Sequence, residues 1–186
     1  MAGVTQETEI KLHAGDVRAA RELIEARGFA LTVPRVFERN TVFDREGGDL
    51  QRRGQLLRLR TAGGRATLTF KGMASTGRHK SREERETGIL DAGEMAVILE
   101  RLGYRAMFIY EKYRTEFVSS GHGSTLITLD ETPVGNFIEI EGEASAIDEA
   151  AQLLGFREPD YLTASYVNLY AAWCRERGIP PGNMTF

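Results

Sequence analysis

The sequence predicts an α+β chain built on eight antiparallel strands that can close into a barrel, with helices on its flanks. Eight segments are rich in β-branched and aromatic residues and separated by glycine-containing turns. Few helical patterns interrupt them, so most neighbouring strands must connect without a crossover. Strand after strand also alternates charged with apolar side chains, the period-two signature of a two-faced sheet.

The strands are predicted over 5–13, 36–44, 55–61, 66–71, 80–89, 109–118, 124–130 and 136–142. Turns are expected at Ala62-Gly63-Gly64-Arg65 and Ser120-Gly121-His122-Gly123. A first helix runs from the cap Asp16 to Gly28, with Val17, Ala20 and Ile24 on its apolar stripe. A second opens with Asp91 and Glu94 in capping-box positions, carries Met95, Ile98, Leu99 and Leu102, and stops at Gly103. A third follows Ser145 with Ile147, Ala150, Ala151 and Leu154 and ends at Gly155. The last spans 163–177, before a Pro-Pro-Gly tail expected to be loose. The triplets Arg27-Gly28-Phe29, Leu102-Gly103-Tyr104 and Leu154-Gly155-Phe156 resemble one another and hint at a duplicated unit. The chain of 186 residues suits one domain, 1–178, with residues 179–186 as the tail.

A net charge of −3 argues against a nucleic-acid polymer as partner, so any basic site must be local. No run of about 18 apolar residues appears, and no signal-peptide succession opens the chain, so no membrane partner and a cytoplasmic location are expected. The one cysteine, Cys174, can form no internal disulfide. No oligomeric state follows from the sequence, a homodimer remaining open.

The alternation carries the chemistry. In Glu7-Thr8-Glu9-Ile10-Lys11 the charged residues share a face, about 6.6 to 7 Å apart, and Ile10 and Leu12 take the other. The pattern recurs with Arg58 and Arg60, with Lys71, with Arg82, Glu84 and Glu86, with Lys112 and Arg114, and with Glu139 and Glu141 beside Ile138 and Ile140. One such strand is an ordinary half-exposed strand. Six are harder to explain so, because bases sit with bases and acids with acids on particular strands, at a cost in repulsion unless counter-ions lie between. Lysine and arginine on one face suit phosphate, and carboxylates from different strands suit a hard divalent ion, Mg²⁺ or Mn²⁺. A cavity holding both sets reads as a site for a small-molecule, metal-bound oligophosphate. Glycine-rich phosphate loops and a GxSxG elbow are absent, and His13, His79 and His122 lack zinc-like spacing.

These residues resemble the CYTH superfamily, the triphosphate tunnel metalloenzymes that include class IV adenylate cyclases and thiamine triphosphatases. Glu7-x-Glu9-x-Lys11 is similar to its ExExK signature. The likeness continues through Phe43-Asp44, Leu57-Arg58-Leu59-Arg60, Thr69-Phe70-Lys71-Gly72, Arg82-Glu83-Glu84, Glu111-Lys112-Tyr113-Arg114, Leu129-Asp130, Gly135-x-Phe137-x-Glu139-x-Glu141 and Ser165-Tyr166. The resemblance implies a closed eight-stranded tunnel barrel. It implies that Lys11, Arg58, Arg60, Lys71, Arg82, Lys112 and Arg114 bind triphosphate, and that Glu7, Glu9, Asp130, Glu139 and Glu141 hold Mg²⁺ or Mn²⁺. It places Lys11, Glu84 and Asp130 at the catalytic step. A metal-dependent triphosphatase is the leading expectation, with a class IV adenylate cyclase and a non-catalytic triphosphate-binding module as alternatives.

Overall fold

The computed structural model describes residues 5–75, 77–119 and 125–186, so the turn expected at 120–123, the start of the strand expected at 124 and His122 lie outside the described residues. The strands are β1 (Thr5–His13), β2 (Phe29–Arg45), β3 (Leu56–Ala62), β4 (Arg65–Lys71), β5 (Lys80–Ile89), β6 (Tyr104–Ser119), β7 (Leu126–Thr132) and β8 (Gly135–Glu141). They close in the order β1-β5-β4-β3-β2-β6-β7-β8, every neighbouring pair antiparallel. The helices are α1 (Val17–Ala26), α2 (Asp49–Arg52), α3 (Ala92–Arg101), α4 (Ala144–Leu153) and α5 (Tyr166–Glu176). No described helix is long and apolar enough to cross a membrane.

Two helix starts follow the predicted caps, Asp16 accepting from the Ala19 N–H and Asp91 from that of Glu94; the last helix, expected from 163, starts at Tyr166 instead, with Ser165 accepting from the Asn168 N–H. The single turn α2 was not legible, because its cap lies on a strand: Asp44, at the end of β2, accepts from the N–H groups of Leu50 and Gln51. The three similar triplets share a local device. Gly28, Gly103 and Gly155 each take a positive φ, at 86°, 88° and 86°, just past α1, α3 and α4. That left-handed conformation is cheap only for glycine and stops a helix cleanly.

The apolar core lies outside the barrel. Ile10, Leu12, Ile127, Leu129, Ile138 and Ile140 leave the wall on its outer face and pack against Ala20 and Ile24 of α1 and Ile147, Ala150 and Ala151 of α4. Each fully buried isoleucine contributes about 1.5 to 3 kcal/mol relative to exposure. Since alternate side chains point oppositely, burying Ile138 and Ile140 against α4 sends Glu139 and Glu141 inward. A smaller cluster beneath α3 joins Phe43, Leu59 and Leu99; Ile98 and Leu102, read as part of that helix's apolar stripe, are instead exposed.

The C-terminal residues are not loose. Met184 is 1 % exposed and exchanges backbone hydrogen bonds of 2.9 and 2.8 Å with Ile109 and Glu111, while the Phe186 ring packs on Tyr113. The cause is a strand-edge vacancy. β7 covers β6 only over Tyr113–Val118, leaving the preceding stretch of β6 with an unpaired edge that the tail fills.

Candidate active site

The barrel interior holds a cavity of about 420 Å³, within the range of small-ligand sites. Glu7, Glu9 and Lys11 reach it from β1, Arg58 and Arg60 from β3, Lys71 from β4, Arg82, Glu84 and Glu86 from β5, Lys112 and Arg114 from β6, and Glu139 and Glu141 from β8. Every one of these was singled out by strand alternation. Asp130 is the exception among the candidates: it is completely buried beneath the bases and does not line the cavity.

The interior is balanced across strands. Lys112 and Arg114 both bond to Asp130, at 2.8 Å and at 2.7 and 2.6 Å, and the Tyr166 hydroxyl donates to the same carboxylate at 2.6 Å. Arg114 also pairs with Glu139, whose other oxygen lies 3.1 Å from Lys11. Burial alone would raise the Glu139 pKa, but Lys11 and Arg114 hold it well below the ordinary carboxylate range. Burial likewise opposes the charge on Lys11, which Glu139 and Glu9 nonetheless keep firmly protonated. Tyr166, at the start of α5, packs on Tyr110 and Phe137, and Lys11 and Lys112 lie over its ring at 5.4 and 5.1 Å. One tyrosine at the start of α5 thus touches cations of both β1 and β6.

On the opposite wall Arg60 pairs with Glu38 at 3.4 Å and with Glu86 at 3.0 Å. Burial raises the Glu38 pKa, yet Lys112, Arg114 and Arg60 bring it down to about 2. Arg58 contacts the Tyr110 hydroxyl at 3.3 Å, and its Nε has no hydrogen-bond partner among the described residues. Asn40, completely buried on the same face of β2 as Glu38, leaves both amide atoms without a partner among the described residues. An unsatisfied buried donor on a residue that lines the cavity, as Arg58 does, is what an anionic ligand would engage.

The third region is acidic. Glu7 pairs with Lys71 and with Arg82 at 3.2 Å, and Lys71 also reaches Glu84 at 3.2 Å. Burial and the neighbouring Glu7 raise the Glu84 pKa despite Lys71. Glu9 is held between Lys11, at 3.1 Å, and Lys80, at 2.6 Å. Lys80, Glu38 and Tyr110 are site residues that sequence reasoning missed. Lys80 has the same parity as Arg82 and Glu84, so extending that strand's alternation to its first residue would have found it.

Among the described residues no three carboxylate, imidazole or thiol groups converge tightly enough to cage a metal ion, because an ammonium or guanidinium group stands between most of the acids. The donor chemistry nevertheless fits a divalent cation. Glu141, at the exposed rim, makes no ion pair or hydrogen bond among the described residues, and burial together with Glu7, Glu84 and Glu9 pushes its pKa up to about 7. A carboxylate that must bind a proton beside other acids is one short of a cation. The folded protein therefore holds this proton from about pH 4.5, where the unfolded chain releases it, up to about 7. Over that window stability falls as pH rises. Glu141→Gln is expected to remove part of that decline: between pH 5 and 8.5 the metal-free variant should lose less melting temperature than the wild type. Equal losses would show that Glu141 titrates normally.

A closed antiparallel barrel with an outer apolar core and a charge-lined interior defines a tunnel protein. The CYTH domain model matches residues 5–166, and the chain belongs to that family, as the ordered motifs implied. It is 27% identical over 148 residues to a Methanocaldococcus jannaschii protein provisionally named an adenylate cyclase, covering 80% of this chain and 83% of that one. A Vibrio parahaemolyticus structure, also provisionally called an adenylate cyclase, superposes with a TM-score of 0.77 at 21% identity, covering 91% of this chain and 99% of the other. The Hippeastrum protein HpAC1, a provisional adenylyl cyclase described as having a dominant triphosphatase activity, superposes at 0.64 with 20% identity, covering 94% and 97%.

Proposed function

We propose that the tunnel binds a small-molecule triphosphate together with Mg²⁺ or Mn²⁺ and hydrolyses a phosphoanhydride bond. The observation that carries this reading is the convergence, among the described residues, of eight lysines and arginines on one cavity most of whose acids are already paired with them. Such an interior accepts a polyanion well only if a further cation enters with it. Glu7, Glu9, Glu139 and Glu141 would hold that ion, which when bound neutralises phosphoryl oxygens. Lys11, Arg58, Arg60, Lys71, Arg82, Lys112 and Arg114 would donate to the phosphates and stabilise charge growing on them. Asp130, expected as a metal ligand and catalytic group, would in this reading act one step back, aiming Lys112 and Arg114 and tethering Tyr166. Glu84, with its raised pKa beside Glu7, suits acceptance of a proton from water attacking the terminal phosphorus as the bridging P–O bond breaks.

Cyclisation of ATP is the second reading, favoured by the names of the Methanocaldococcus and Vibrio relatives. The tunnel tyrosines weigh against it. Tyr166 carries two lysines over its ring, and Tyr110 stacks with Phe108 at 5.9 Å, so these rings are committed rather than open to a purine. Product analysis with Mg²⁺ and ATP, thiamine triphosphate or inorganic triphosphate decides. Orthophosphate release is expected. Cyclic AMP with pyrophosphate would replace hydrolysis by cyclisation, and no turnover of any of the three would reduce the protein to a binding module.

A further inference from the structure

Lys80 is a buried ammonium that the phosphate and metal assignments above do not use. It is the first residue of β5, lies opposite Glu9 in the antiparallel ladder and points into the cavity. Its Nζ is 2.6 Å from Glu9 Oε1, closer than the 3.1 Å of Lys11 to the same oxygen. Lys11 has a second acid in Glu139, whereas the ion pair to Glu9 is the one Lys80 makes among the described residues. On its other side Glu9 faces Glu141, the carboxylate left without a cation.

We propose that Lys80 is a built-in counter-cation: it occupies Glu9 in the metal-free tunnel and competes with a divalent ion for that carboxylate, so that it sets the metal affinity of the site. This inference rests on the metal-triphosphate reading of the tunnel and adds a control on it. The Lys80 Nζ already lies 2.6 Å from Glu9 Oε1, so an ion that this carboxylate would hold is one the ammonium would repel at close range. At that range two like charges repel strongly even in a partly hydrated cavity. An ammonium on a four-carbon stem is suited to this role, because it can leave one carboxylate for another acceptor without moving the backbone. Without metal, Lys80 keeps the acids from repelling one another; with metal and triphosphate, it is freed towards the anion. The ion is then bound weakly by the empty tunnel and firmly once a polyanion offers Lys80 a new partner.

The test is calorimetric titration of Mn²⁺ into the triphosphate-free protein, comparing wild type with Lys80→Met, Lys80→Gln and Lys80→Arg, each first checked for a cooperative melt. Both neutral variants are expected to bind Mn²⁺ about tenfold more tightly, and the charge-conserving arginine variant to stay within about twofold of wild type. Unchanged or weaker Mn²⁺ binding in the neutral variants that melt cooperatively would overturn the proposal. So would failure of both to melt cooperatively, since Lys80 would then hold the fold, or an absence of Mn²⁺ binding at millimolar concentration in every form. Hydrolysis of inorganic triphosphate by the wild type, measured in parallel, separates the two readings. Turnover with Mn²⁺ affinity indifferent to Lys80 removes the counter-cation alone, whereas tighter Mn²⁺ binding without turnover removes hydrolysis alone.

Discussion

Asp130→Asn is expected to destabilise the triphosphate-free protein by about 3 to 5 kcal/mol, the cost of removing one partner from a buried ion cluster. Asp130 is completely buried and carries Lys112, Arg114 and the Tyr166 hydroxyl on its two oxygens. The amide keeps the shape but not the charge, so two buried cations would retain, among the described residues, only Glu38 and Glu139 as counter-ions. Urea unfolding measures the loss. Tyr166→Phe, which removes a single hydrogen bond to the same carboxylate, should cost about 1.5 to 3 kcal/mol. If Asp130→Asn cost no more than Tyr166→Phe, Asp130 would be one contact among many and not the support of the base strand. Triphosphate should restore part of the lost stability, because it offers the two orphaned cations a new anion.

Lys112→Met and Arg114→Met are each expected to weaken triphosphate binding by about 1.5 to 3 kcal/mol per charge-assisted bond lost. Both cations are shared with Asp130, so a bound phosphate must compete for them. The acids should behave oppositely. Glu7→Gln and Glu9→Gln remove charges that repel an incoming anion and free Lys71, Arg82 or Lys80, so metal-free triphosphate binding should persist or tighten while turnover demands more metal. Titration of triphosphate into each metal-free variant measures the signs. A loss of affinity in both classes would mean that the carboxylates hold the bases in place, and the metal assignment would fall.

Much of the tunnel was legible because a strand's period of two is written directly in the chain. Ile138 and Ile140 had to be buried, so Glu139 and Glu141 had to face the other way, and the same reasoning placed Arg58, Arg60, Lys112 and Arg114. What the pattern could not show is register. Like charges along one strand suggested repulsion awaiting a ligand. In the fold, most of these bases meet an acid on a neighbouring strand, Lys112 meeting Asp130 and Lys71 meeting Glu84. That pairing depends on which strands adjoin and by how many residues they are offset, information absent from any single segment. The docking of the tail was hidden for the same reason. Met184 is held by the edge that β7 leaves open on β6, and Pro-Pro-Gly gives no hint of a vacancy some 70 residues earlier in the chain. Asp130 was recognised as a candidate, but its complete burial beneath the bases was not legible, since it depends on how β6, β7 and α5 pack around it.

The central claim is that the cationic barrel interior is a triphosphate site completed by a divalent ion. Calorimetric titration of inorganic triphosphate into the wild-type protein, without and then with Mg²⁺, tests it most directly. The predicted result is one-to-one binding that strengthens with Mg²⁺ and weakens as salt screens the bases. Heats no larger than dilution at millimolar triphosphate and Mg²⁺ would contradict it, leaving the interior charges as a network that stabilises the barrel alone.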